Sequence, residues 1–291
     1  MEGAGWVHII TGKLTITGKS MTEIQLSPKK SKGQHWLNDP DALEAICNSA
    51  YLQPGDQVFE IGPGTGELTA KLLEHKVKVV ALEYDPELMP VLRSRFSNVA
   101  SDHLMLQEGD IRTYNFTNIS QSDYKIVANI PYYLTATLMR RLTDDIVNKP
   151  STVVLLVQKE VAERVAAKPG AMSIIAVAAQ FYYSVTLGRV VKAELFTPPP
   201  RVDSQIMIMN YRSKPLYPGI DTDLFFRIVK AGFSQRRKTL LNTLSSGLLM
   251  PRTEVEVLLD QVNIQLQTRA QSLSLDNWFD LYRTIALKLS K

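Results

Sequence analysis

Nearly continuous apolar runs of strand length recur along the chain: "QVFEI" (57–61), "VKVVALE" (77–83), "HLMLQ" (103–107), "YKIVAN" (124–129) and "STVVLLVQ" (151–158). They are short and rich in β-branched residues, as expected of strands buried on both faces. Between several of them the apolar positions fall at helical spacing, in "GELTAKLLEH", "PELMPVLRSRF" and "LTATLMRRL". Strands alternating with helices predict an α/β fold with a parallel sheet covered on both faces. Two later runs, "SVTLGRVVK" and "SQIMIMNY", are expected as antiparallel edge strands. The stretch "RSKPLYPGI" (212–220) reads as a linker, and only helical patterns follow it. The expected organisation is a flexible extension over 1–28, a catalytic α/β domain over 29–211 and a small all-helical domain over 212–291.

Composition narrows the partners. The chain carries 33 Lys and Arg against 29 Asp and Glu, a mild excess that suits a polyanion without requiring one. The placement of the charge is more telling. From Leu224 to Thr253 there is no acidic residue, whereas Arg227, Lys230, Arg236, Arg237, Lys238 and Arg252 lie there, with Phe226 and Phe233 interleaved. The single cysteine, Cys47, excludes an internal disulfide and sits in an amphipathic pattern that predicts a buried thiol. His8, His35, His75 and His103 are scattered without metal-ligand spacing, so no metal site is expected. The run "IIAVAA" is too short to span a bilayer, and "WVHII" is no signal-peptide core; a soluble, cytoplasmic protein is expected. "GKLTITGKS" imitates a phosphate-binding loop, but five residues separate Gly12 from Gly18 where that motif needs four.

The first strand runs into "EIGPGTGELT", where Gly62, Gly64 and Gly66 form a tight strand-to-helix turn that a ligand can approach closely. A dinucleotide fingerprint would need a small residue where Glu67 stands, and Glu60 and Glu67 together repel phosphate and suit a cationic ligand. Glu83, at the end of the next strand, is placed to take ribose hydroxyls. Asp110, followed by Ile111 in "EGDI", ends the third strand where it can accept from an adenine amino group. An adenosine with a cationic tail and no phosphate is S-adenosylmethionine. The fold expected is therefore a Rossmann-like sheet built for that cofactor.

The fourth strand ends in "NIPYY" (129–133) on the same rim. The Asn129 side-chain oxygen and the Ile130 carbonyl can each accept a hydrogen from an exocyclic base amine, Pro131 fixes the bend, and Tyr132 can stack on an unstacked base. Tyr133 is assigned only a packing role.

Together, "KKSKGQHWLND" (29–39), "EIGPGTGELT", "LEYD", "GDI", "NIPYY", "LVQKEVAERVAAKPG" and "FTPPPRVDS" (196–204) resemble, in order, the ribosomal RNA adenine N6,N6-dimethyltransferases. The resemblance implies that Gln34, His35 and Leu37 line the methionine end of the cofactor and that Phe196 faces Tyr132 across a flipped adenine. Two departures stand out: Trp36 where the family usually shows Phe, and a shortened loop after "AAKPG". The tail segments "FSQRRKTLLNTL" and "NIQLQTRAQSLSLDNWFDL" are similar to the small-subunit branch, which modifies paired adenines near the 3′ end of 16S rRNA. That implies small-subunit rRNA or a 30S-type particle as partner and a monomeric enzyme. Arg236, Arg237 and Lys238 are expected to open a helix that grips backbone phosphates. The alternatives are a 23S rRNA methylase conferring macrolide resistance, or an assembly factor whose catalysis is vestigial.

Overall fold

The computed structural model describes residues 8–10, 13–15, 28, 33–119, 123–146 and 148–289. Of the segment 1–28, β1 (His8–Ile10) and β2 (Lys13–Thr15) pair as a short antiparallel ribbon; the flexible extension expected there otherwise falls outside the described residues, as do Lys29, Lys30, Ser31 and Lys32.

β3 (Trp36–Leu37) precedes α1 (Pro40–Ser49), whose first turn is fixed by the Asp39 carboxylate accepting from Ala42 N at 2.8 Å, with Pro40 opening the helix. Then β4 (Gln57–Ile61), α2 (Glu67–Glu74), β5 (Lys78–Glu83), α3 (Met89–Arg95), β6 (Leu104–Glu108), β7 (Lys125–Asn129), α4 (Thr135–Arg140) and β8 (Thr152–Gln158) alternate as the apolar rhythm predicts. α5 (Lys159–Val165) and α6 (Ile174–Tyr182) follow, then β9 (Tyr183–Val191), β10 (Phe196–Thr197) and β11 (Ser204–Tyr211). The tail consists of α7 (Thr222–Gly232), α8 (Leu240–Gly247), α9 (Arg252–Gln261) and α10 (Leu275–Leu289).

Seven strands form one sheet in the order β6-β5-β4-β7-β8-β11-β9. The first five are parallel, and β11 runs antiparallel to both β8 and β9. Here the sequence expectation needs correction: of these two strands β11 is internal, and β9 alone lies at an edge. The reason is apolarity on both faces of "IMIM", where Ile206, Met207 and Met209 are all buried, whereas β9 alternates with exposed positions.

Successive residues of each central strand serve opposite cores. Phe59, Ile126, Ala128, Val153 and Leu155 pack toward α4 and α6, while Val58, Val127, Val154 and Leu156 pack toward α1 and α2. A third core joins α6 to the four tail helices through Val177, Phe181, Phe225, Leu241, Leu258 and Trp278. The segment read as a linker is anchored to this core: Tyr217 stacks on Phe279 with ring centres 4.0 Å apart and donates to Asp276 Oδ1 at 2.8 Å. No helix among the described residues is long and apolar enough to cross a membrane.

Candidate active site

Chain direction divides at β4. The chain leaves it toward β5 and β6 on one side and returns as β7 on the other, so the carboxyl ends of β4 and β7 flank a crevice, the usual ligand position in such sheets. The glycine turn and the Asn129 turn face each other across it.

Gly62, Gly64 and Gly66 have φ of +69°, +60° and +88°, backbone that only glycine adopts without strain. A Cβ on Gly62 would meet nothing within 4 Å, because that side of the turn opens on the cleft; one on Gly66 would lie 2.7 Å from Phe96 Cε2. The first two glycines thus shape the cavity, and the third admits α3 against the turn. Two pockets meet here. Gln34, His35, Leu37, Glu60, Gly62 and Gly64 line the first; Asn129, Pro131 and Tyr132 close it from the β7 side, and Phe196 of β10 completes it. Asp110 and Ile111 line the second, which shares Gln34, Gly62, Glu83 and Pro131 with the first. Segments far apart in the chain therefore close in space, and every cofactor and catalytic candidate from the sequence lies along one continuous crevice.

The electrostatics differ from expectation at one point. Glu67 is not a free acid beside the turn: Arg95 forks onto it at 2.6 and 3.0 Å and also donates to the Thr65 carbonyl. The pairing is non-local and leaves Glu60 as the carboxyl of the turn. Glu60 is 1% exposed; Thr69 Oγ1 donates to its Oε2 at 2.6 Å, while Oε1 is buried with no hydrogen-bond partner among the described residues. Burial pushes its pKa up to about 8, opposed by the Thr69 hydrogen bond. Glu83 accepts from Gly64 N at 3.0 Å and Asp85 N at 2.7 Å, and burial raises its pKa too. Asp110 is held below the usual carboxylate range by Arg112, whose Nε lies 2.8 Å from Oδ2. It keeps lone pairs for a further donor.

On the β7 side, Asn129 ends the strand half-buried, and Tyr132 begins a 3₁₀ turn. The Tyr132 hydroxyl is fixed by Ser204 Oγ at 2.8 Å, so the last residue of "FTPPPRVDS" orients the ring. Phe196 lines the same pocket as Tyr132. It is 2% exposed and pairs with Leu37 in the β3–β10 ribbon, and the ring stacked on Tyr132 is His35, at 5.7 Å and 23°. Nδ1 of His35 donates to the Pro198 carbonyl at 2.7 Å, which holds the imidazole in place.

Sequence reasoning gave no site role to three residues. Tyr133 walls the second pocket rather than simply packing, and Arg112 lies over the Tyr84 ring at its mouth. Trp36 lines the first pocket, with its indole nitrogen buried and without a hydrogen-bond partner among the described residues. The family departure at that position was the only available signal.

Arg236, Arg237 and Lys238 lie elsewhere, exposed in the turn between α7 and α8, and do not open a helix as expected. α8 starts at Leu240; three cations in its first turn would oppose the positive end of the helix dipole. Arg236 and Lys238 border an open cleft with Arg164 and the shortened loop, where Gly170 N and Met172 N both donate to the Gln271 carbonyl. Among the described residues no cluster of His, Cys, Asp and Glu is suited to hold a metal ion.

A parallel sheet with a glycine turn, an acid after each of two succeeding strands and an Asn-Ile-Pro-Tyr rim define a methyltransferase that uses S-adenosylmethionine. The residues fit that cofactor, with an open glycine cradle and two buried polar atoms awaiting partners in the same cleft. The ribosomal RNA adenine dimethylase profile matches residues 25–287, and the chain belongs to that family. It is 37% identical over 268 residues to ribosomal RNA small subunit methyltransferase A of Dehalococcoides mccartyi (strain CBDB1), covering 91% of both chains. It is 35% identical to the protein of the same name from Clostridioides difficile (strain 630), covering 90% of this chain and 92% of that one. Among solved structures, a dimethyladenosine transferase from Plasmodium falciparum superposes with a TM-score of 0.73 at 25% identity, over 87% of this chain and 98% of that one. The 23S rRNA methyltransferase ErmE superposes at 0.71, also at 25% identity, over 86% and 99%. The chain is thus an rRNA adenine dimethyltransferase of the α/β methyltransferase fold.

Proposed function

We propose that the substrate is small-subunit rRNA, with dimethylation at N6 of two adjacent adenosines in the 3′-terminal hairpin of 16S rRNA, within a 30S-type particle in the cytoplasm. The observation that carries the chemistry is the Asn129–Tyr132 turn, set on the rim of the cofactor cleft by the end of β7. Relatives named for the small subunit, alike over nine-tenths of both chains, favour this branch over the large-subunit one.

The cofactor supplies an electrophilic methyl group. Glu83 and Asp110 hold its ribose and adenine, and the glycine turn with Glu60, Gln34, His35 and Leu37 receives its amino-acid end. Asn129 and the Ile130 carbonyl would accept the N6 hydrogens of the target adenine, two before the first transfer and one before the second, orienting the nitrogen lone pair into the cofactor cleft. No strong base is needed, because the alkylated nitrogen is acidic enough to give its proton to water. Tyr132, braced by Ser204, stacks on the flipped base, while Pro131 fixes the turn and Phe196 backs the cleft. Residues 29–211 carry this chemistry. Residues 212–291, with Arg236, Arg237 and Lys238, form the RNA-binding unit of a monomer.

The test is methyl transfer from labelled S-adenosylmethionine to unmethylated small subunits, with large subunits in parallel. Label confined to small subunits, recovered as dimethyladenosine, is the expected outcome. Label on large-subunit RNA would move the protein to the other branch.

A further inference from the structure

Trp36 and Glu60 stand on the wall of the same pocket, and each buries one polar atom that no described residue satisfies. One is a donor, the indole Nε1–H; the other is the carboxyl Oε1, an acceptor once the acid ionises. Native proteins rarely leave such atoms unpaired, and an unmade buried bond costs more than a made one gains. Both atoms adjoin the glycine turn: Glu60 precedes it by two residues, and a Cβ placed on Gly64 would lie 3.8 Å from Trp36 Nε1. A zwitterionic amino acid presents the matching pair of groups, a carboxylate to accept and an ammonium to donate.

From this pairing we infer that the Trp36 indole N–H is a recognition donor for the carboxylate of the cofactor's amino-acid end, opposite Glu60, which receives the ammonium. The inference rests on the placement of that end at the glycine turn. Trp36 belongs to a two-residue strand that pairs with Thr197 and its neighbour in β10, so the indole covers the turn as a small lid. A phenylalanine, the usual residue of the family here, covers the turn equally but donates nothing. The contact is therefore a feature of this chain, adding selectivity for the intact amino acid.

The test is titration calorimetry with two probes, S-adenosylmethionine and its decarboxylated form, which keeps the sulfonium and the ammonium but lacks the carboxylate. Trp36→Phe is expected to weaken S-adenosylmethionine binding about tenfold or more and to leave the decarboxylated probe within about twofold, the bond being absent there already. Glu60→Gln is expected to weaken both probes alike. Equal weakening of both probes by Trp36→Phe would reduce Trp36 to a packing role and overturn the inference, as would no weakening of either. If neither variant affects either probe, the placement of the amino-acid end is itself wrong, a distinct outcome. Should the Phe variant fail to fold, Trp36→Met fills the space without an N–H and is read in the same way.

Discussion

Glu60→Gln has an effect on stability whose sign is set by burial. In the folded protein the carboxyl titrates near 8, against 4.5 for an unhindered glutamate, so between these values the folded state binds the proton and the unfolded state has released it. Stability rises with pH only where the unfolded state binds more protons, so here it falls as pH rises from about 4.5 to about 8 and levels off above. A tenfold difference in proton affinity between the two states corresponds to about 1.4 kcal/mol, so Glu60 costs the unliganded protein at most about 5 kcal/mol above pH 8 and about 1 kcal/mol at pH 5.5. Glutamine keeps the acceptor for Thr69 without the ionisation. The stabilisation from Glu60→Gln should therefore be about 3 kcal/mol larger at pH 8.5 than at pH 5.5. Urea denaturation of both proteins at the two pH values measures that difference and cancels the titrating groups that do not interact with Glu60. Parallel pH dependences in the two proteins would refute the buried, neutral Glu60. The same reasoning gives a second readout, because an ammonium arriving beside Oε1 ionises the acid. Near pH 7 the wild type should release a proton on binding S-adenosylmethionine, detectable as a buffer-dependent binding enthalpy, and the variant should not.

The tail and the glycine turn make two further predictions. Replacing Arg236 and Arg237 with alanine should weaken rRNA binding and lower the slope of log affinity against log salt by about one to two units; a slope equal to the parent's would remove the turn from the interface. Gly66→Ala forces an L-residue to φ +88° and drives a Cβ to 2.7 Å from Phe96, so it should destabilise the fold by about 1–3 kcal/mol; an unchanged denaturation midpoint would show that the turn has another conformation open to it.

Much of this architecture was legible in the chain because buried parallel strands must be apolar on both faces, which leaves unbroken runs such as "TVVLLVQ". The cleft was legible for a related reason. Its residues sit at strand ends, so finding the strands found Glu83, Asp110 and Asn129 on a common rim. What escaped was whatever depended on pairing distant in sequence. Arg95 neutralises Glu67 from another helix, and the order of β11 and β9 is decided by which of two runs better tolerates an edge. The stacking of His35 on Tyr132 joins segments far apart in the chain, a pairing no local pattern records. The basic triplet was misread by one structural state, since cations near a helix start look alike whether they lie in the helix or just before it.

The most direct measurement compares Asn129→Ala with the wild type in single-turnover methyl transfer to unmethylated small subunits, with S-adenosylmethionine affinity determined alongside. If Asn129 orients the target amine, transfer falls by about 100-fold or more while cofactor affinity stays within a few-fold. Transfer at the wild-type rate would contradict that role and leave the Asn-Ile-Pro-Tyr rim as a structural turn.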